Sequence, residues 1–362
     1  MSNDHKYLQT HPWISFHHHL ERVNPLCWLL LGEAVARCDQ VAQSVLPPSL
    51  ACKLHRIYLI KGARATTAIE GNTLSEEQIA ANLEGRLDLP RSQEYLKQEV
   101  DNALVAFDQI TKDVVEGESR ALTQGWIVEA NQRLLADLEE HLEEGVVPGE
   151  IPTHSVGVLR YRGAPREDCV FLLNRLCEWL EGGDWPVYPE RHENRTASAI
   201  FRAIFAHLYL AWIHAFGDGN GRTARLVEFM ILVREGVPSP CAHLLSDHYN
   251  LTRSEYYRQL DRSSRAHSGR GDPLGFLLYS LEGFVDGLRK QNQYIEEIQL
   301  RLAWEHFVYD EFRRIPPSKA MRRRREVTLA LGQENAPVRK QAIPDLSPNL
   351  TRLYVVKRPI KR

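Results

Sequence analysis

An all-α fold is what this sequence predicts, on three observations. Apolar residues recur at three- and four-residue intervals through most of the 362 residues, the spacing of one buried helix face. Start and stop signals frame those stretches, with Pro or Ser before them and Gly, Asn or Pro-Pro after them. Before the carboxyl end, period-two alternation is confined to one short segment around Val156 and Val158. A content of 43% hydrophobic and 25% charged residues gives a globular chain with a real core, and excludes wholesale disorder or a small disulfide scaffold. The balance of 45 Lys+Arg against 47 Asp+Glu leaves a net charge of −2, so no global field selects nucleic acid or an anionic membrane.

In chain order, Asn24-Pro25 opens an apolar-periodic helix over Leu26 to Val45, with Pro at the first helical position, and Pro47-Pro48 stops it. A helix from about Ser49 to Glu70 ends on Gly71-Asn72. Ser75-Glu76-Glu77-Gln78 has the spacing of a capping box. Helices follow at roughly 92–115 and 121–139. The segment Gly149 to Gly163, punctuated by Gly149, Pro152, Gly157 and Gly163, reads as a short β-hairpin or a connecting loop. Helices resume at 165–181, 193–212, 221–235, 252–262, 272–287 and about 290–313. Beyond Pro316-Pro317 the composition turns polar, with an arginine run from Arg322 to Arg325 that reads as a solvated helix face, so a boundary is expected near 310–320.

The N-terminus lacks the basic, apolar and small-residue pattern of a signal peptide. The most apolar run, Ala203 to Phe216, is interrupted by His207 and His214 and is shorter than the roughly 20 residues of a spanning helix. The cysteines Cys27, Cys38, Cys52, Cys169, Cys177 and Cys241 show no CxxC pair or zinc spacing. These features predict reduced core cysteines, a cytoplasmic setting and no membrane partner.

Chemistry concentrates in His214-Ala215-Phe216-Gly217-Asp218-Gly219-Asn220-Gly221-Arg222-Thr223-Ala224-Arg225, a loop that runs straight into a helix. Gly219 and Gly221 let the backbone turn tightly and approach a ligand. The bare amides of the following helix make an anion site. Arg222 and Arg225 lie three apart in the first turn, at the positive end of the dipole, where each cation is misplaced by roughly 0.3–1 kcal/mol. A polyphosphate against that turn relieves the mismatch, because Arg grips its oxygens bidentately. Asp218 is suited to Mg²⁺, and His214, with an ordinary pKa near 6.5, to taking a hydroxyl proton. Phe216 has no chemical task and is expected to anchor the loop in the core.

This stretch resembles the signature of the Fic (filamentation induced by cAMP) family, His-x-Phe-x-Asp/Glu-Gly-Asn-Gly-Arg-x-x-Arg, at every fixed position; Ala215 stands where many members have Pro. The resemblance implies a helical Fic fold that transfers AMP from ATP to a Ser, Thr or Tyr hydroxyl of a protein. It implies His214 as general base and Asp218 as the Mg²⁺ ligand. Gly219, Asn220 and Gly221 become the anion hole, with Arg222, Thr223, Ala224 and Arg225 on the nucleotide phosphates. Thr66-Thr67-Ala68-Ile69-Glu70-Gly71 resembles the family's inhibitory motif, whose glutamate pairs with the second arginine, so Glu70 becomes a brake on Arg225. The 149–163 segment becomes a flap on which an extended target docks, with Pro152 where many relatives have Arg. Ser254-Glu255-Tyr256-Tyr257 resembles the segment beside the adenine; Tyr256 and Tyr257 either stack on the base or belong to the core.

The resemblance divides the chain into an N-terminal helical region, 1–110, with the inhibitory helix at about 49–70, a Fic core, 111–290, and a linker helix with an incomplete winged-helix-like tail, 291–362. It implies an autoinhibited protein adenylyltransferase with ATP, a protein target and itself as possible substrates. The alternatives are a de-AMPylating or bifunctional enzyme and a nucleotide-sensing regulator that contacts DNA through the tail. Apolar surface on the long helices makes a homodimer a further expectation.

Overall fold

The chain is predominantly helical, and a central pair of packed helices carries the signature loop between its members. The computed structural model describes residues 5–152, 157–158, 161–182, 185, 192–265, 271–332 and 339–346. The helices are α1 (Tyr7–Thr10), α2 (Pro25–Ala42), α3 (Pro48–Ile69), α4 (Glu76–Leu83), α5 (Glu94–Val115), α6 (Gln124–Leu134), α7 (Arg166–Gly182), α8 (His192–Ile213), α9 (Asn220–Arg234), α10 (Ser239–Ala242), α11 (Leu244–Leu251), α12 (Arg253–Arg265), α13 (Pro273–Arg313) and α14 (Lys319–Leu331). Strands β1 (Gly157–Val158) and β2 (Tyr161–Arg162) pair antiparallel, Gly157 opposite Arg162 and Val158 opposite Tyr161. The rest of the 149–163 hairpin segment, residues 153–156 and 159–160, lies outside the described residues, as do residues 347–362 of the winged-helix-like tail.

Two compact units divide the chain at Lys290 and Gln291. In the first, α8 and α9 form the centre, and α5, α6 and α3 pack on α9. Ile200, Phe201, Ile204, Phe205 and Leu208 of α8 are fully buried, and Phe229 of α9 meets Phe107 of α5 edge to face at 4.7 Å. Helix α8 is long and apolar enough to cross a membrane, but 89% of its apolar window is buried inside the protein, so its apolarity goes into packing. The second unit comprises the end of α13, α14 with its arginine run, and a short 3-10 turn at Lys340–Leu346. Within it Arg325 lies over the Tyr309 ring at 4.9 Å.

Local chemistry explains the boundaries that matter for the site. Ser75 and Gln78 close the expected capping box on α4. Helix α3 ends in a Schellman arrangement: Gly71 takes φ +110°, and the Asn72 amide reaches back to the Thr67 carbonyl at 3.1 Å. Glu70 is thereby fixed as the C-cap residue. Three expectations need correction. The separate helices at 272–287 and about 290–313 are one helix, α13, because Arg289, Lys290, Gln291 and Gln293 are good helix formers with no proline among them. Helices α10 and α11 carry no periodic signal in the sequence, because at four and eight residues they are too short for one to register. Cys52 is exposed, whereas the other five cysteines are buried and all six are free.

Candidate active site

Helix α8 stops at Ile213, and His214 turns the chain by adopting φ +48°, an uncommon left-handed conformation for a side-chain-bearing residue. Its amide still reaches the Leu210 carbonyl, so the imidazole is placed by the last turn of a rigid helix. Burial is the leading influence on its pKa and lowers it; the Glu70 charge and a hydrogen bond to the Ala211 carbonyl oppose that shift without cancelling it. Burial thereby favours the neutral imidazole, and one ring nitrogen is tied to the Ala211 backbone.

The loop beyond it is held by its own side chains. Phe216 is buried as expected, at 2% exposure. Asn220 accepts from the Phe216 amide at 2.9 Å and donates to the Phe216 carbonyl at 2.7 Å. The Asn220 side chain therefore builds the turn, and its share of an anion hole is limited to its backbone. Gly219 sits at φ +73°, where a Cβ would come within 2.8 Å of Asn131 Nδ2. The Thr223 amide already closes on the Gly219 carbonyl, so the unpartnered amides of the first turn are those just upstream. Thr223 and Ala224 are buried, at 1% and 0% exposure, with Thr223 Oγ1 bound by Asn131. Of the expected phosphate contacts, theirs is the one the geometry turns inward, toward packing.

Both arginines are buried and already paired with carboxylates. Arg222, with 4% of its side chain exposed, donates to Glu99 Oε1 at 3.0 Å and to Asp218 Oδ1 at 3.3 Å. Arg225, with none exposed, donates from Nε to Thr66 Oγ1 at 3.0 Å and from Nη2 to the Thr66 carbonyl at 2.9 Å and to Glu70 Oε1 at 2.5 Å. Its remaining nitrogen, Nη1, is buried with no hydrogen-bond partner among the described residues. Burial works to raise the Glu70 pKa, but Arg225, then Arg222 and Arg253, overcome it and hold the carboxyl below the ordinary range. Gly221 leaves room for this contact: a Cβ there would stand 2.3 Å from Glu70 Oε1, so the carboxylate would have to shift.

The two tyrosines of α12 separate. Tyr257 donates to the Ile69 carbonyl at 3.3 Å, and Arg253 adds a second donor at 3.1 Å to the Ala68 carbonyl, which already accepts from the Gly71 amide, so both hold the end of α3. Tyr256 is 3% exposed, bonded through its hydroxyl to His207 at 2.9 Å and stacked on Tyr249. It is a core residue beneath the site, the second of the two roles open to it from the sequence.

Sequence reasoning missed two residues. Asn131 of α6 donates to the Asp218 carbonyl at 2.9 Å and to Thr223, and accepts from the Gly149 amide at 2.9 Å. It thereby ties the signature loop to the start of the 149–163 segment. Glu99 of α5 holds Arg222 and is itself bound by Asn72 Nδ2 at 2.8 Å, two residues past Glu70. The hairpin rejoins α8 beside the histidine: the Ala164 amide reaches the Ile213 carbonyl, the Tyr161 hydroxyl reaches the Trp212 carbonyl at 2.6 Å, and a Cβ on Gly163 would stand 2.8 Å from His214 Cβ.

The buried histidine, the glycine turn and the two buried arginines at one helix start all lie in residues 121–232, which match the Fic/DOC family. Those residues are the part of the chain that is similar to a Fic/DOC domain. Among curated relatives it is 31% identical over 195 residues to protein adenylyltransferase fic-1 of Caenorhabditis elegans, covering 54% of this chain and 34% of that protein. It is 29% identical over 199 residues to protein adenylyltransferase Fic of Nematostella vectensis, covering 55% and 42%. The matched region thus spans well under half the length of these relatives. In fold, the chain resembles a Fic family protein from Desulfovibrio desulfuricans, with a TM-score of 0.59 and 21% identity over 91% of this chain and 90% of that one. It also resembles residues 134–508 of C. elegans Fic-1, with a TM-score of 0.54 and 22% identity over 75% and 73%.

Proposed function

We propose that this chain is an autoinhibited protein adenylyltransferase, which transfers AMP from ATP to a Ser, Thr or Tyr hydroxyl of a protein while Glu70 restrains it. The observation that carries the reading is the Glu70–Arg225 contact: a phosphate-gripping arginine, wholly buried, is occupied by a carboxylate from the end of another helix. Glu70 sits at a helix C-terminus, the unfavourable end for an anion, so its position is sustained by the guanidinium.

In the transfer, the target hydroxyl oxygen bonds to the α-phosphorus in line as the bond to the β-phosphate bridge breaks and pyrophosphate leaves. The hydroxyl proton goes to the untethered nitrogen of His214. Arg222, Arg225 and the unpartnered amides at the start of α9 hold the departing charge, which is catalysis by positioning and preorganised electrostatics. The unpartnered Arg225 Nη1 is a donor that a phosphate oxygen would satisfy. Asp218 suits Mg²⁺: its carboxylate is 43% exposed, Oδ1 accepts from Arg222 and the Gly219 amide, and Oδ2 has no partner among the described residues. One such carboxylate plus phosphate oxygens is a usual Mg²⁺ environment, and the ion would neutralise phosphate charge there. The β1–β2 hairpin, anchored beside His214, is the surface where an extended target segment adds as a strand.

Intact-mass measurement of Glu70→Gly protein after incubation with ATP and Mg²⁺ tests this. One added AMP, lost in the Glu70→Gly/His214→Ala double variant, is the expected result. The absence of both an adduct and pyrophosphate release with every common ribonucleoside triphosphate would end the reading.

A further inference from the structure

We propose that His17, His19 and Glu21 form a binding site for a borderline divalent cation of the Zn²⁺ class, apart from the Fic site. One ligand atom from each of the three lies within 4.8 Å of the others. His17 Nδ1 and His19 Nδ1 are 3.1 Å apart, and His19 Nδ1 is 3.7 Å from Glu21 Oε1. Zinc bonds of 2.0–2.1 Å at tetrahedral angles require ligand atoms about 3.3–3.4 Å apart, so the two spacings straddle what the ion needs.

The turn is built rather than loose. Phe16 and His19 both hold left-handed backbone, φ +52° and +54°, a conformation uncommon for such residues. Phe16 packs on Tyr209 at 5.4 Å and on Trp179 at 6.2 Å, Leu20 is 3% exposed, and the Tyr209 hydroxyl donates to the His17 carbonyl at 3.5 Å. Anchored on both sides, the chain has to present residues 17 and 19 outward together. His18 is excluded as a third imidazole ligand through Nδ1, which accepts from the Leu20 amide, and its ring lies against Trp185. The His19 amide donates to His17 Nδ1 at 3.1 Å; a cation would displace that contact, which water can replace at this exposed turn.

A cation would replace the Nδ1–Nδ1 contact of His17 and His19 and draw the Glu21 carboxylate in as third ligand, satisfying all three at once. Imidazole selects Zn²⁺, Ni²⁺ or Cu²⁺ over Mg²⁺, so the site would not compete for the ion suited to Asp218. Three protein ligands leave a fourth position for water. Occupancy would brace the 16–21 turn against α7 and α8.

The test uses full-length, untagged protein, stripped with chelator, in a Cys52→Ser background that removes the exposed thiol. Zn²⁺ titrated by calorimetry is expected to bind at one equivalent and to raise Tm. Affinity should fall at least tenfold in His17→Ala, His19→Ala and Glu21→Ala and hold in His18→Ala, with millimolar Mg²⁺ unable to compete. Co²⁺ in place of Zn²⁺ should give tetrahedral d–d absorption without a thiolate charge-transfer band. Absence of Zn²⁺ binding, binding indifferent to His17 and His19, or a thiolate band would each overturn the proposal.

Discussion

Glu99 on α5 and Arg222 on α9 stand 123 residues apart in sequence, yet their side chains meet at 3.0 Å with Arg222 only 4% exposed. The pair compensates a cation at the positive end of a helix, where it would otherwise be misplaced. Asn72 binds the other oxygen of Glu99, so the turn that carries Glu70 also reaches Arg222 through Glu99. Glu99→Ala should therefore destabilise the fold by about 2 kcal/mol, less than for a fully buried pair because Glu99 retains 16% exposure. Urea denaturation measures this, and Glu99→Gln, which keeps one acceptor, should lose about half as much. A loss within error of zero for the alanine variant would show the pair to be incidental.

On the proposed function, Glu70 and an incoming phosphate compete for the same guanidinium. Glu70→Gly should tighten ATP binding at least tenfold, about 1.4 kcal/mol. In an Arg225→Ala background the same replacement should yield no gain. Calorimetric titration of the four proteins closes this double-mutant cycle, and equal gains in both backgrounds would mean that Glu70 acts elsewhere.

Asn131 is 1% exposed and makes three hydrogen bonds that join α6, the signature loop and Gly149. Asn131→Ala leaves those groups without their partner, at a cost of about 2–3 kcal/mol. Because it frees the Asp218 carbonyl, transfer by Glu70→Gly protein should fall more than tenfold when Asn131 is also replaced. Full activity at undiminished stability would remove Asn131 from the site.

What was legible in the sequence was local. Periodicity with Pro25, Ser75 and Gly71 located the early helices within a few residues, because capping and αL chemistry act over one turn. The loop from His214 to Arg225 was legible because its glycines and misplaced arginines lie together. Asn131 and Glu99 were invisible for the opposite reason: each is an ordinary polar residue on a helix, and its partners come from far along the chain. Tyr256 and Tyr257, adjacent in sequence, divide between core and helix end by side-chain direction, which spacing alone does not reveal.

Gly163 is where the hairpin passes closest to the histidine. A Cβ there meets His214 Cβ at 2.8 Å and the His214 carbonyl at 2.9 Å, so Gly163→Ala has to push the hairpin or the imidazole aside. The expected outcome is a kcat loss of tenfold or more in the Glu70→Gly background, with ATP affinity unchanged because the α9 turn is untouched. Weakened ATP binding with normal kcat would contradict this placement.

The His214 titration carries a sign that the geometry fixes. Burial lowers its pKa from the ordinary value of about 6.5, and the nearby Glu70 charge is the largest influence raising it again. The neutral, proton-accepting form should therefore persist below pH 6.5. Replacing Glu70 by Gln removes a charge that favours the imidazolium, so the midpoint should move lower still, not higher. NMR titration of the His214 ring in wild-type and Glu70→Gln protein measures both midpoints. The acid limb of kcat/KM in Glu70→Gly protein should follow the same direction, staying flat through pH 6.5 before it falls. A midpoint that rose when Glu70 was neutralised would mean that the carboxylate does not face the imidazole, and the shared pocket would have to be redrawn.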